Sequence, residues 1–140
     1  MSCVLGFDYG ARRIGVAAGN RVSGSARPLQ PLTARGGEPD WTRVDALLAE
    51  WKPEALVVGL PLTLDGGEQA VTRGARGFAG ALRARSGLPV HLIDERHTSQ
   101  EAARRFASRR AAGTARRRDA ANIDSLAAAV ILESWLTQTK

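Results

Sequence analysis

Three apolar runs in this chain each meet an acid, and burying those runs dictates where the acids go. Asp8 ends the run Cys3-Val4-Leu5-Gly6-Phe7, and Glu95 ends Val90-His91-Leu92-Ile93-Asp94. Asp124 opens a third, Ile123 to Leu132. An acid beside a buried segment costs free energy unless a cation or hydrogen bonds compensate it. Folding that brings the three together at one sheet edge makes a site for a divalent metal.

The spacing of apolar residues predicts the element order. Residues 3–8 read as a strand, followed by a turn at Tyr9-Gly10-Ala11-Arg12 and a second strand at Ile14 to Ala18. Ala26 to Leu32 reads as a third strand, which Pro28 and Pro31 confine to an edge or break. Thr33 to Pro39 reads as a loop. Asp40 to Trp51 has helical spacing and stops at Pro53. Ala55 to Gly59 is a continuous apolar run with a β-branched centre, the pattern of a strand covered on both faces. Glu68 to Ser86 reads as a helix despite Gly74, Gly77 and Gly80, Val90 to Asp94 as a strand, and Ala120 to Gln138 as a last helix. Thr98-Ser99-Gln100-Glu101 matches a capping box and predicts a helix to about Arg109. The expectation is an α/β domain: a mixed five-stranded sheet, an antiparallel meander followed by βαβ units, flanked by helices. With 140 residues, one domain over positions 1–140 is expected.

Charge is concentrated. Arg96, Arg104, Arg105, Arg109, Arg110, Arg116, Arg117 and Arg118 fall in one segment with a single acid, Glu101. The rest of the chain is balanced to within one charge, so the net +6 sits in that block. Such a block attracts polyanions, or forms a solvated helix face. The lone cysteine, Cys3, excludes an intrachain disulfide. No apolar run has membrane-spanning length and the start of the sequence lacks a secretory pattern, so a cytoplasmic location is expected.

At these residues the chain resembles a known family. Leu5-Gly6-Phe7-Asp8-Tyr9-Gly10 with Arg13-Ile14-Gly15-Val16-Ala17, then Val57 to Leu62 with Asp65-Gly66, Asp94-Glu95-Arg96 with Thr98, and Ile123 to Ala128 are similar to four signatures of the YqgF/RuvX family. These are Holliday-junction-resolvase-like proteins, also described as nucleases for the 5′ end of pre-16S ribosomal RNA. The resemblance implies a ribonuclease H-like fold and makes Asp8, Glu95 and Asp124 the metal-binding catalytic acids. It implies Mg²⁺, with Mn²⁺ able to substitute, as the cofactor of phosphodiester hydrolysis. By analogy with the fold, Asp8 bridges two ions. The last helix departs from the bacterial RuvC pattern, because Ala127 and Ala128 stand where a second acid is usual. Asp94 or Asp119 completes the set, or three acids suffice.

Each acid also fits a structural role. Asp8 suits a turn cap at Tyr9-Gly10, Asp94 a cap or ion pair, and Asp124 the first turn of a helix. His97 fits either a proton shuttle or a surface loop, and Arg96 either a phosphate contact or an ion pair. His91, Trp41, Trp51 and Trp135 read as structural, and Tyr9 as a base-stacking or site-lining residue. Seven of the arginines, Arg104 to Arg118, would grip phosphates without reading sequence. The partner expected is structured RNA or branched DNA. A homodimer goes with the junction substrate, since paired cuts need twofold symmetry, and Leu132, Trp135 and Leu136 offer either a dimer contact or core packing. Two other functions fit parts of the pattern. One is a non-catalytic RNA-binding or ribosome-assembly module built on the arginines. The other is an actin-like ATPase, which needs two lobes where the length allows one.

Overall fold

The computed structural model describes residues 2–10, 12–35, 38–62, 65–94 and 123–138, without the side chains of Ile123, Asp124 and Gln138. Six strands form one sheet: β1 (Cys3–Asp8), β2 (Arg13–Asn20), β3 (Ala26–Arg35), β4 (Glu38–Pro39), β5 (Ala55–Leu60) and β6 (Val90–Asp94). Their spatial order is β4-β3-β2-β1-β5-β6. The first four pair antiparallel in sequence, and β1-β5 and β5-β6 are parallel. Among the described residues, the helices α1 (Trp41–Trp51), α2 (Ala70–Ser86) and α3 (Ile123–Gln138) flank this sheet.

The expected five strands are therefore six. Strand β3 runs on to Arg35, and Glu38 and Pro39 pair back onto Arg35 and Ala34 as β4. Both prolines are tolerated in β3 for identifiable reasons. Pro28 lies opposite Ala17 of β2, at a level where β3 pairs with no other described strand. Pro31 falls where the register with β2 shifts, between the pairs Ile14↔Leu32 and Val16↔Leu29. A proline lacks a donor, and an open edge and a bulge are the places where that matters least.

Alternation along the strands builds two cores. Leu5 and Phe7 of β1 join Leu56 and Val58 of β5 beneath α1 and α2, where Val44, Phe78 and Leu82 meet them. Val4 and Val57 point to the other face, beneath Ala128, Ile131, Leu132 and Trp135 of α3. Asp40 caps α1, its Oδ1 accepting from the Arg43 N–H at 3.3 Å, and Lys52 ends the helix in the left-handed region at φ 45°. Gly87, at φ 71°, ends α2, where a residue without Cβ adopts that conformation without strain. Among the described residues no helix is long and apolar enough to cross a membrane.

Candidate active site

Asp8 is the last residue of β1 and is half-buried. Val4, Gly6 and Asp8 alternate onto the face that α3 covers. In register, Asp8 stands between Gly15 of β2 and Gly59 of β5. Both residues paired with Asp8 therefore lack a side chain.

A buried hydrogen bond sets the start of α3 at this same end. The Val16 N–H donates to Oγ of Ser125 at 3.1 Å, and Ser125 is fully buried. The register shift between β2 and β3 interrupts the ladder between Ile14 and Val16, and the hydroxyl supplies the acceptor there. Val16 pairs with Phe7 and Gly15 with Asp8. The first turn of α3, which carries Asp124 one residue before Ser125, thus lies at the Asp8 end of the sheet.

Close packing fixes the rest of α3. A Cβ on Gly6 would lie 2.9 Å from Leu132 Cβ and 3.4 Å from the Ala128 carbonyl oxygen. A Cβ on Gly19 would lie 2.8 Å from Leu132 Cδ2. The close approach of this helix to the sheet occurs at Ala128, which is fully buried, whereas Ala127 is only half-buried. Glycine in the sheet contributes as much as alanine in the helix.

The second signature spans the end of β5 with Pro61 and Leu62, and Asp65 and Gly66 ahead of α2. Asp65 Oδ1 accepts from the Gly67 N–H at 3.0 Å, around Gly66 at φ 90°. The Thr72 hydroxyl donates to the Pro61 carbonyl and accepts from the Gln69 N–H at 3.0 Å. This buried threonine ties the start of α2 to the carboxyl end of β5. Ser125 and Thr72 are the positioning residues that the sequence reading misses. Their signal is a lone hydroxyl flush against an apolar helix face.

Asp94 ends β6 in register with Leu60, whose side chain enters the α1/α2 core. Asp94 is thus on the sheet face opposite Asp8. Glu95 follows it directly and lies outside the described residues, as do Arg96, His97, Arg104, Arg105, Arg109, Arg110, Arg116, Arg117, Arg118 and Asp119. Among the described residues no group of three His, Cys, Asp or Glu side chains is placed to hold a metal ion.

Three other expectations have definite outcomes. Tyr9 does not share Asp8's face: its buried ring lies 5.6 Å from Phe78, centroid to centroid, and against Gly74 of α2. His91 is structural, its ring centroid 5.0 Å from that of Trp135. Leu132, Trp135 and Leu136 belong to the core beneath α3, so they form no exposed dimer surface.

Comparison with known proteins agrees with this architecture. The family model described as RuvX, Holliday junction resolvase, matches residues 2–138. A protein of Xanthomonas campestris pv. campestris named "Putative pre-16S rRNA nuclease" is 52% identical over 134 residues, covering 96% of this chain and 86% of the relative. One of the same name from Xanthomonas oryzae pv. oryzae is 53% identical over 133 residues, covering 95% and 86%. Among solved structures, Thermus thermophilus RuvC in complex with a Holliday junction superposes with a TM-score of 0.60 at 22% identity, over 99% of this chain and 96% of that one. Fowlpox virus resolvase in complex with junction DNA gives 0.58 at 11% identity, over 98% of each chain. The fold is that of the RuvC-like, ribonuclease H-fold resolvases, and the chain belongs to the RuvX family.

Proposed function

We propose that this chain is a metal-dependent endonuclease acting on structured nucleic acid, with Asp8, Glu95 and Asp124 as its catalytic acids. The observation that carries the reading is the buried Ser125 to Val16 hydrogen bond, which holds the first turn of α3 at the Asp8 end of the sheet. Glu95 follows the carboxyl end of the parallel strand β6, two strands from β1. The three carboxylates supply hard oxygen donors, which suit Mg²⁺ and Mn²⁺. Bound there, a divalent ion supplies Lewis-acid stabilisation of phosphate charge and activation of water. The protein's own contributions are different. The residues paired with Asp8 on both sides are glycines, and the Ser125 hydroxyl anchors the turn of α3 that carries Asp124. The arginines between Arg96 and Arg118 neutralise the phosphates of the bound strand.

The names of the Xanthomonas relatives favour the precursor of 16S ribosomal RNA as substrate, and the family description favours a four-way DNA junction. The test offers labelled pre-16S RNA and a four-way junction side by side with Mg²⁺ or Mn²⁺. Cleavage of either that disappears in Asp8→Asn supports the reading. Undiminished cleavage by Asp8→Asn would remove Asp8 from the mechanism. Binding of both without cleavage by the wild type would favour the ribosome-assembly module instead.

A further inference from the structure

The nuclease reading draws its phosphate contacts from the arginine-rich segment, which follows β6 in the chain. In the sheet, β5 and β6 lie on one side of β1, and β2 and β3 lie on the other. The ends of β2 and β3 beside Asp8 carry exposed polar residues that the reading leaves unused.

Alternation assigns their faces. Ile14, Val16 and Ala18 of β2 enter the core beneath α1 and α2, whereas Ala17 lies beneath α3. Arg13 and Gly15 therefore belong to the α3 face, as Asp8 does. Gly15 pairs with Asp8, which makes Arg13 the diagonal neighbour of Asp8 across the two strands. Diagonal neighbours stand about 7–8 Å apart, within reach of a long side chain. Thr33 of β3 is opposite Arg13, and both are exposed. Helix α3 runs from the level of Val16 toward Gly19, away from this pair.

The backbone under Arg13 is held from both sides. A Cβ on Gly10 would lie 2.6 Å from the Arg13 carbonyl oxygen, so the turn that follows Asp8 packs directly against it. From β3, the Ala34 N–H donates to the Arg12 carbonyl at 2.8 Å. Strands β2 and β3 contain three arginines and no acid. Glu38 of β4 stands opposite Arg35 and offsets part of its charge, which leaves Arg13 as the cation of these strands nearest to Asp8. A guanidinium grips phosphate oxygens in pairs, and a threonine hydroxyl donates to them, without reading bases.

We propose that Arg13 and Thr33 bind a backbone phosphate of the substrate strand next to the cleaved bond, on the β2 side of Asp8. The proposal rests on the nuclease reading for its choice of polyanion, and it deepens it: the strand crosses the end of the sheet toward β3 and is held on both sides of the cut.

The test measures affinity for labelled pre-16S RNA and for a four-way junction in the presence of chelator, where no bond is cut, over a fourfold range of salt. One phosphate contact contributes about 0.7 on a single strand and about 0.9 on a duplex to the slope of log affinity against log salt. Arg13→Gln should lower the slope by that amount and so lose about threefold less affinity than wild type across the range. Arg27→Gln removes the same charge at the far end of β3 and should keep the wild-type slope. During cleavage with Mg²⁺, Arg13→Gln should raise KM with little change in kcat, since the contact is made equally before and during reaction. A wild-type slope in Arg13→Gln overturns the proposal, whether or not kcat falls. An equal drop in Arg27→Gln also overturns it, by making the effect one of net charge. Should Arg13→Gln not fold, Thr33→Glu sets an anion beside Arg13 at an exposed position and should weaken binding several-fold; unchanged affinity there overturns the proposal. A wild type that shows the Arg13 contribution to binding yet cuts neither substrate would sink the nuclease reading and leave the phosphate contact standing.

Discussion

At the scale of single residues, position decides function more than residue type. Ser125 is one hydroxyl inside an apolar helix, yet it satisfies a buried backbone N–H that the interrupted ladder leaves to it. Removing the hydroxyl leaves that donor without its acceptor, which costs about 1–3 kcal/mol. Ser125→Ala should therefore lower stability by that amount in urea titration. Cleavage should fall further than the unfolded fraction accounts for, because Asp124 loses its anchor. Ser125→Thr retains the hydroxyl and should preserve more activity. Wild-type stability in Ser125→Ala would show that core packing alone holds the helix start. Gly6 gives a second residue-scale test. A methyl there meets Leu132 Cβ at 2.9 Å, an overpacking expected to cost about 1–3 kcal/mol. Leu132→Ala in the same chain should recover part of that loss, and a strictly additive double variant would place the strain elsewhere.

At the scale of elements, α2 shows why glycines of one helix are not equivalent. Gly74 lies under Tyr9, whose Cε2 would be 2.7 Å from an added Cβ, whereas Gly77 faces open space. Gly77→Ala should stabilise the protein by up to about 1 kcal/mol through helix propensity, and Gly74→Ala should destabilise it. Equal effects of the two, read from denaturation midpoints, would mean that the Tyr9 ring yields freely. Helix α2 also docks on α1 through Arg85 and Asp45. The hydrogen bonds from Arg85 hold the Asp45 carboxyl below its ordinary value of 3.8. A lowered folded-state pKa gives stability that is complete above the ordinary value and is lost as pH falls through the lowered one. The melting temperatures of wild type and Asp45→Asn should keep a constant separation from neutral pH down to about 5 and converge in more acid solution. A separation unchanged down to pH 2 would mean that the pair contributes nothing. Much of this layer is legible in the sequence, because strands and helices announce themselves by period. The helix ends are legible too, since Asp40, Pro53 and Gly87 act locally. What escapes is pairing. Nothing local to Thr33 or Glu38 reveals that β3 continues to Arg35 and gains β4, and nothing near Ser125 reveals a bulge 109 positions away.

At the scale of the whole molecule, charge and topology divide the work. The meander with its parallel extension brings Asp8 and the end of β6 to one end of the sheet, and α3 carries Asp124 there. The sequence alone shows three acids at the margins of buried runs but not that β5 lies between β1 and β6. That order follows from three-dimensional pairing and the handedness of the crossovers. The net charge of +6 is a property of the Arg96 to Arg118 segment rather than of the sheet. If that segment holds nucleic acid by its phosphates, affinity must fall with salt as counterions are released. On a four-way DNA junction each neutralised phosphate contributes about 0.9 to the slope of log affinity against log salt. Replacing Arg116, Arg117 and Arg118 together by glutamine should reduce that slope by as much as about 2.7. Affinities at several salt concentrations, measured with Asp8→Asn to prevent cleavage, give the slope directly. A parallel line displaced to weaker binding would assign these three arginines a structural role. An unchanged line would move the phosphate contacts to Arg96 through Arg110.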